Sequence, residues 1–199
     1  IVAEPAGDRF QPAITKEEID ARCQELGPLR ILFVGNLIPR KGLHFLVEAL
    51  SQLPREEWLL DVVGETTVSP AYTRRLRHQI GEADLSERVT FQGVLSDEEL
   101  AQQYRGHHLL IVPSQYEGFG IVYLEGMGFG LPAIGTTAGA AGEIIRDGKN
   151  GYLIHEEKTA LLAQRIRRLH QNRDELARLS HNARQTYLGM PTWADSMAK

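Results

Sequence analysis

Leu29-Arg30-Ile31-Leu32-Phe33-Val34-Gly35 is a nearly continuous apolar run of strand length that ends in glycine. Runs without polar alternation suit strands buried on both faces, as in parallel sheets covered by helices. The same signal returns at Trp58-Leu59-Leu60-Asp61-Val62-Val63-Gly64, Arg88-Val89-Thr90-Phe91 and Leu109-Leu110-Ile111-Val112-Pro113. Shorter versions stand at Pro132-Ala133-Ile134-Gly135-Thr136 and Gly151-Tyr152-Leu153-Ile154. Between them the period changes to that of helices. Leu43, Leu46, Val47 and Leu50 recur at i, i+3, i+4 and i+7, predicting a helix over about 42 to 53. Further helices are predicted from about Pro70 to Glu82, from Ser96 to about Tyr104, over Ile121 to Phe129 and around Gly142 to Arg146. Two charged amphipathic helices, about 156 to 170 and 173 to 187, close the chain. Thr15-Lys16-Glu17-Glu18 and Ser96-Asp97-Glu98-Glu99 are capping boxes, and the first opens a helix to about Leu26, stopped by Gly27-Pro28. Strand and helix alternate about six times. That order predicts an α/β fold, an open parallel sheet of about six strands with helices on both faces.

Composition bounds the function. The 199 residues suit one domain with trimmings, and 42% hydrophobic with 24% charged residues is ordinary for a globule. A net charge of −4 gives no global attraction to nucleic acid. The single cysteine, Cys23, excludes a disulfide framework or a cysteine-rich zinc site. No apolar run approaches the ~20 residues of a membrane span. The start, Ile1-Val2-Ala3-Glu4-Pro5, has neither Met nor a signal pattern and reads as a piece of something longer.

Ligands of open parallel sheets bind at the carboxyl ends of the strands. The loop Gly35-Asn36-Leu37-Ile38-Pro39-Arg40-Lys41-Gly42 follows the first strand. It matches neither the dinucleotide fingerprint nor the Walker loop, which disfavours a nicotinamide-dependent oxidoreductase and a P-loop hydrolase. Two adjacent cations leading into a helix N-terminus are nevertheless phosphate chemistry. A solvated turn accounts for Arg40 and Lys41 alone equally well.

The loop after the fourth strand is sharper. Ser114-Gln115-Tyr116-Glu117-Gly118-Phe119-Gly120-Ile121-Val122-Tyr123-Leu124-Glu125 sets two glutamates eight apart around Gly-Phe-Gly. Helical side chains lean toward the N-terminus, so Glu125 can point back to the cleft that Glu117 borders. Gly118 and Gly120 permit close approach of a ligand. Singly, Glu125 is explained by the helix dipole and Glu117 by an exposed loop. Together, two carboxylates beside a cationic loop are suited to the hydroxyls at the two ends of a nucleoside-diphosphate sugar.

These elements resemble, in order, the donor-binding domain of the group 1 (family four) retaining glycosyltransferases of the GT-B fold. The resemblance runs from about Leu29 to Leu188. It rests on Gly35…Pro39-Arg40-Lys41-Gly42, on Val89-Thr90-Phe91-Gln92-Gly93-Val94, on Pro113-Ser114…Glu117-Gly118-Phe119-Gly120…Glu125, and on Gly130-Leu131-Pro132…Gly139…Glu143…Gly148…Gly151. It implies a Rossmann-like domain that is one half of a GT-B fold. It further implies Lys41 on the donor diphosphate, Glu117 on the transferred sugar and Glu125 on the ribose diol, with Lys41 and Glu117 the catalytic pair. Gly35, Asn36 and Arg40 would line the diphosphate. Backbone groups of Gly118, Phe119, Gly120, Ile121 and Val122 would hold sugar and phosphate oxygens, and the base would lie against Gly93, Val94 and Leu95. Asn36 departs from the arginine that many members carry, and Ala138-Gly139 from the family's Gly-Gly; no proline precedes Glu143.

The implied organisation is an interdomain linker and leading helix over 1–28, the nucleotide-sugar domain over 29–188 and a tail over 189–199. The tail carries Thr192-Trp193-Ala194-Asp195 and would return toward an acceptor domain that is absent here. No metal or other cofactor is expected, and the expected partners are the nucleotide-sugar donor and that N-terminal acceptor domain. A cytoplasmic location is expected, with any membrane contact made through the missing half; the fragment alone is expected to bind donor without efficient transfer. The alternative reading is a non-catalytic nucleotide-sugar-binding scaffold on the same fold. His107-His108 is expected to pack rather than to bind metal, because neighbours on a strand face opposite ways.

Overall fold

The computed structural model describes residues 9–155 and 157–191. Six strands form one sheet: β1 Leu29–Val34, β2 Trp58–Val63, β3 Val89–Gly93, β4 Leu109–Ile111, β5 Ala133–Thr136 and β6 Gly151–Ile154. Their spatial order is β3-β2-β1-β4-β5-β6, and every pairing is parallel. The chain therefore works outward from β1 to one edge, then restarts at β4 on the other side of β1. The register Ile31↔Leu109 and Leu32↔Leu110 joins the two halves.

The apolar runs are strands for the reason the sequence suggests. Leu29, Ile31, Leu32 and Phe33 are all fully buried, so both faces of β1 are covered. The helices are α1 Lys16–Gln24, α2 Leu43–Leu50, α3 Pro70–Glu82, α4 Asp97–Gly106, α5 Ile121–Gly128, α6 Ala141–Ile144, α7 Thr159–Gln171 and α8 Arg173–Leu188. Both capping boxes form, Thr15 with Glu18 and Ser96 with Glu99. The helix expected over 42 to 53 is shorter. It begins as expected, with Gly42 as the left-handed N-cap after the 3-10 turn Pro39–Lys41, but ends at Leu50, where residues 51–53 turn ahead of Pro54.

The stretch expected as linker is partly core. Residues 1–8, and 192–199 of the tail expected over 189–199, lie outside the described residues. From Phe10 onward, however, the chain packs: Phe10 meets Tyr104 and Phe129 edge-on, with ring centroids 5.8 Å apart in each case. Ile19 and Cys23 of α1 are buried against α8, and burial of a side chain such as Ile19 contributes ~1.5–3 kcal/mol. Arg22 is buried too, donating to the carbonyls of Arg105 (3.1 Å), Phe129 (3.0 Å) and Gly130 (2.8 Å). Burial pushes its pKa down to about 10, so it remains a cation at neutral pH and ties α1 to α4 and to the turn after α5.

His107 and His108 stand between α4 and β4 rather than on a strand, and their rings have separate partners. His108 accepts from the Arg30 amide through Nδ1 and faces the Arg22 carbonyl through Nε2, each at 2.9 Å. Burial drives its pKa down to about 3, which keeps the ring neutral. His107 lies 2.8 Å from Asp61, and Gln92 donates to the other oxygen of Asp61 at 2.8 Å.

Candidate functional site

Because β1 and β4 are neighbours, the loops that leave their carboxyl ends leave side by side. This is the point where strand order reverses, the usual ligand crevice of an open α/β sheet. Gly42 brings the two loops into contact. Its φ is +73°, and a methyl group there would lie 1.9 Å from the Pro113 carbonyl oxygen. Only glycine fits both the dihedral and the space.

The contact sets Lys41 opposite Glu117. The Lys41 ammonium donates to Glu117 Oε2 at 2.7 Å, with both side chains largely covered. Ser114, fully buried, donates to the same oxygen at 3.0 Å. Among the described residues no hydrogen bond is made to Oε1 of Glu117. The backbone beneath Glu117 is held from the β5 side, where the Ala140 amide donates to the Glu117 carbonyl at 2.8 Å. Gly139, at φ +75°, passes so close that a Cβ would stand 2.2 Å from that carbonyl oxygen. That glycine of the closing pattern is thus a spacer for the glutamate loop.

Arg40, implied as a diphosphate contact, is held here by backbone of the facing loop. Its guanidinium donates to the Tyr116 carbonyl at 2.6 Å, and the Gln115 amide donates back to the Arg40 carbonyl at 2.8 Å. The arginine reaches across the cleft mouth and clasps the loop preceding Glu117. Asn36 is exposed, and its side-chain oxygen accepts from the Glu65 amide at 3.3 Å. Lys41 is therefore the cation that projects from the first loop onto a carboxylate rather than onto backbone.

Glu125 sits on α5, one turn beyond the loop, and is only 3% exposed. Tyr104 of α4 donates to its Oε2 at 2.9 Å, and Arg9 approaches its Oε1 at 3.5 Å. Arg9 also pairs with Asp97 at the start of α4. Burial raises the pKa of Glu125, and the Tyr104 and Arg9 contacts only partly offset this. The two glutamates thus share a helix-loop unit but have separate partners.

The rest of the expected set lines the same edge. Gly120 caps α5 with φ +85°, and a Cβ there would run into the Tyr123 ring. Gly118 is exposed with open space around it, while Phe119, Ile121 and Val122 are half-buried. Gly93 ends β3 and accepts from the Gly64 amide at 2.8 Å; Val94 beyond it is 70% exposed and Leu95 is half-buried. Strands lie ~4.8 Å apart, so this turn stands roughly 10 Å from the end of β1. Residues missed from sequence are Ser114, Tyr104 and Arg9. Ser114 stood in the quoted motif without a role, and Tyr104 follows Leu100 at helical spacing, which reads as core.

A groove of ≈ 520 Å³ between α1 and α8 is lined by Ile14, Ile19, His181 and Arg184. Two of its polar side chains are engaged: Arg184 with the Gly128 and Pro12 carbonyls, His181 with Asp20 at 2.6 Å.

The family model "Glycosyl transferases group 1" matches residues 15–186. The chain belongs to the group 1 glycosyl transferases. A D-inositol 3-phosphate glycosyltransferase of Nocardia farcinica is 33% identical over 158 residues, covering 77% of this chain and 35% of that protein. Anabaena Alr3699/HepE, solved in complex with UDP and glucose, is similar with a TM-score of 0.80 at 27% identity, over 92% of this chain and 50% of that one. The C-terminal domain of the group 1 protein LpcC from Francisella tularensis matches with a TM-score of 0.78 at 25% identity, over 93% of this chain and 97% of that one. The Rossmann-like sheet of this glycosyl transferase chain is that of GT-B folds. The chain spans 35% to 42% of the length of the first relatives it matches. Among the described residues no helix is long and apolar enough to cross a membrane.

Proposed function

We propose that this chain is the donor half of a retaining glycosyltransferase, binding a nucleoside-diphosphate sugar across the ends of β4, β1 and β3. The observation that carries the reading is the Lys41–Glu117 contact of 2.7 Å at the reversal of strand order. A cation and a carboxylate held together in a shallow cleft suit a ligand with a phosphate beside a polyol. Such a ligand separates them: the ammonium passes to diphosphate oxygens and the carboxylate accepts sugar hydroxyls. Glu125 takes the ribose diol once Arg9 withdraws, and the base lies against Gly93, Val94 and Leu95. That Alr3699/HepE is seen with UDP and glucose supports the ligand class.

Departure of the nucleoside diphosphate leaves negative charge on its oxygens. Lys41 and the first-turn amides of Ile121 and Val122 are donors fixed in advance for that charge. This chemistry needs neither a metal nor an enzyme nucleophile, and the acceptor hydroxyl comes from a second domain outside this chain. A scaffold on the same fold would keep the glycines and dispense with the charges; the retained pair favours an enzyme. A thermal-shift panel of UDP, GDP, ADP, NAD and inorganic diphosphate tests the reading. Stabilisation by one nucleoside diphosphate and not by NAD is expected; stabilisation by NAD alone overturns it. Transfer by the longer protein that withstands EDTA and keeps the anomeric configuration is expected to complete it.

A further inference from the structure

Tyr104 is fully buried in the last turns of α4. Its ring stacks on Phe129 with centroids 5.5 Å apart and planes at 21°, and the Phe10 ring closes it edge-on. Among the described residues its polar contact is the 2.9 Å hydrogen bond to Glu125 Oε2. Burial, together with the neighbouring Glu125 charge, raises the Tyr104 pKa well above its ordinary value, so the hydroxyl is a donor at every working pH. The carboxylate it faces is 3% exposed. A buried carboxylate without donors takes up a proton or turns away, and either change removes an acceptor for a diol. The other charged groups about Glu125 are Arg9, from the segment before α1, and Asp97, on α4, whose charge works against ionisation. Arg9, half exposed, faces Oε1 at 3.5 Å, whereas the buried Tyr104 holds Oε2 from the inside.

We infer that Tyr104 is a positioning residue: its hydroxyl fixes the rotamer of Glu125 and keeps the carboxylate ionised when Arg9 leaves to admit the ribose. The inference rests on Glu125 being the ribose acid. A diol that donates to a carboxylate already anchored on its inner oxygen forms two charge-assisted hydrogen bonds without first ordering the side chain.

Calorimetry on wild type, Tyr104→Phe and Glu125→Gln tests it, using whichever of UDP, GDP and ADP binds wild type and, in parallel, inorganic diphosphate. Phenylalanine keeps the stacked ring and deletes only the donor. The expected result for Tyr104→Phe is about ten-fold weaker nucleoside diphosphate binding with diphosphate binding unchanged. In addition, the acid limb of nucleotide affinity moves to higher pH, because Glu125 protonates sooner. A lower melting temperature with neither change makes Tyr104 a packing residue and overturns the inference. Should Glu125→Gln leave nucleotide affinity intact, or should none of the three nucleotides bind, the ribose reading itself fails, a distinct outcome. If Tyr104→Phe does not fold, the hydroxyl proton of Tyr104 in wild type decides by NMR. It shifts with the nucleoside diphosphate and not with inorganic diphosphate; an unmoved resonance overturns the inference.

Discussion

Glu125 and Asp61 are acids held against the interior, and pH acts on them in opposite senses. Burial pushes Asp61 up, but hydrogen bonds from His107 and Gln92 outweigh it and leave the pKa below 3.8. The stability Asp61 contributes is therefore present above its ordinary range and lost as pH falls through the lowered value. Asp61→Asn is expected to lower the melting temperature at pH 7 and to narrow its gap from wild type in acid. For Glu125 burial wins, and the pKa lies above 4.5. Its contribution is present below the ordinary range and lost as pH rises through the raised value. Glu125→Gln should thus melt higher than wild type at pH 8 and lose that gain near pH 4, while binding nucleoside diphosphates less well. Lys41→Ala is expected to weaken nucleoside diphosphate and inorganic diphosphate alike, by ~1.5–3 kcal/mol, the range for hydrogen bonds to charged groups; calorimetry checks it. At this scale the sequence exposes the acids and the lysine, because charge in an apolar helix and beside glycines stands out. It does not expose Arg40's turn to the Tyr116 carbonyl. A guanidinium satisfies phosphate and carbonyl with the same fork, and residue type cannot choose between them.

The elements were legible wherever their ends carry their own chemistry. Capping boxes place the starts of α1 and α4, since Thr15 and Ser96 satisfy amides that otherwise lack partners. Thr15→Ala should cost ~1 kcal/mol in chemical denaturation. The start of α2 was legible too, at Gly42, but the reason for a glycine there was not: it answers to a remote constraint, the Pro113 carbonyl, and nothing nearby in the chain records it. Gly42→Ala meets both a left-handed φ of +73° and that carbonyl. It is expected to lose ~2 kcal/mol or more in denaturant titration and to weaken nucleotide binding, as Lys41 is carried on the same turn. Likewise Phe10 looks like part of a loose leader, since one aromatic has no period. Its place follows from Tyr104 and Phe129, which are far along the chain.

For the whole molecule, alternation of strands and helices fixes a parallel sheet but is silent on strand order. The reversal between β1 and β4, which makes the cleft, belongs to tertiary packing. Given the share of its relatives that the chain spans, binding and turnover should be separable. The 199-residue chain is expected to bind a nucleoside diphosphate yet transfer sugar far more slowly than the longer protein. A radiolabelled-donor assay with both proteins checks this, and equal rates would contradict it.

The Gly42–Pro113 contact has a consequence for redesign. It fastens the cation loop to the acid loop at the centre of the sheet, where a single added carbon is not tolerated. The turn at Val94, by contrast, hangs from β3, which among the described residues is an outer strand paired with β2. If the proposed donor site holds, exchanges of side chain at that margin are expected to alter nucleobase choice, while the diphosphate grip stays fixed like the jaw of a vice.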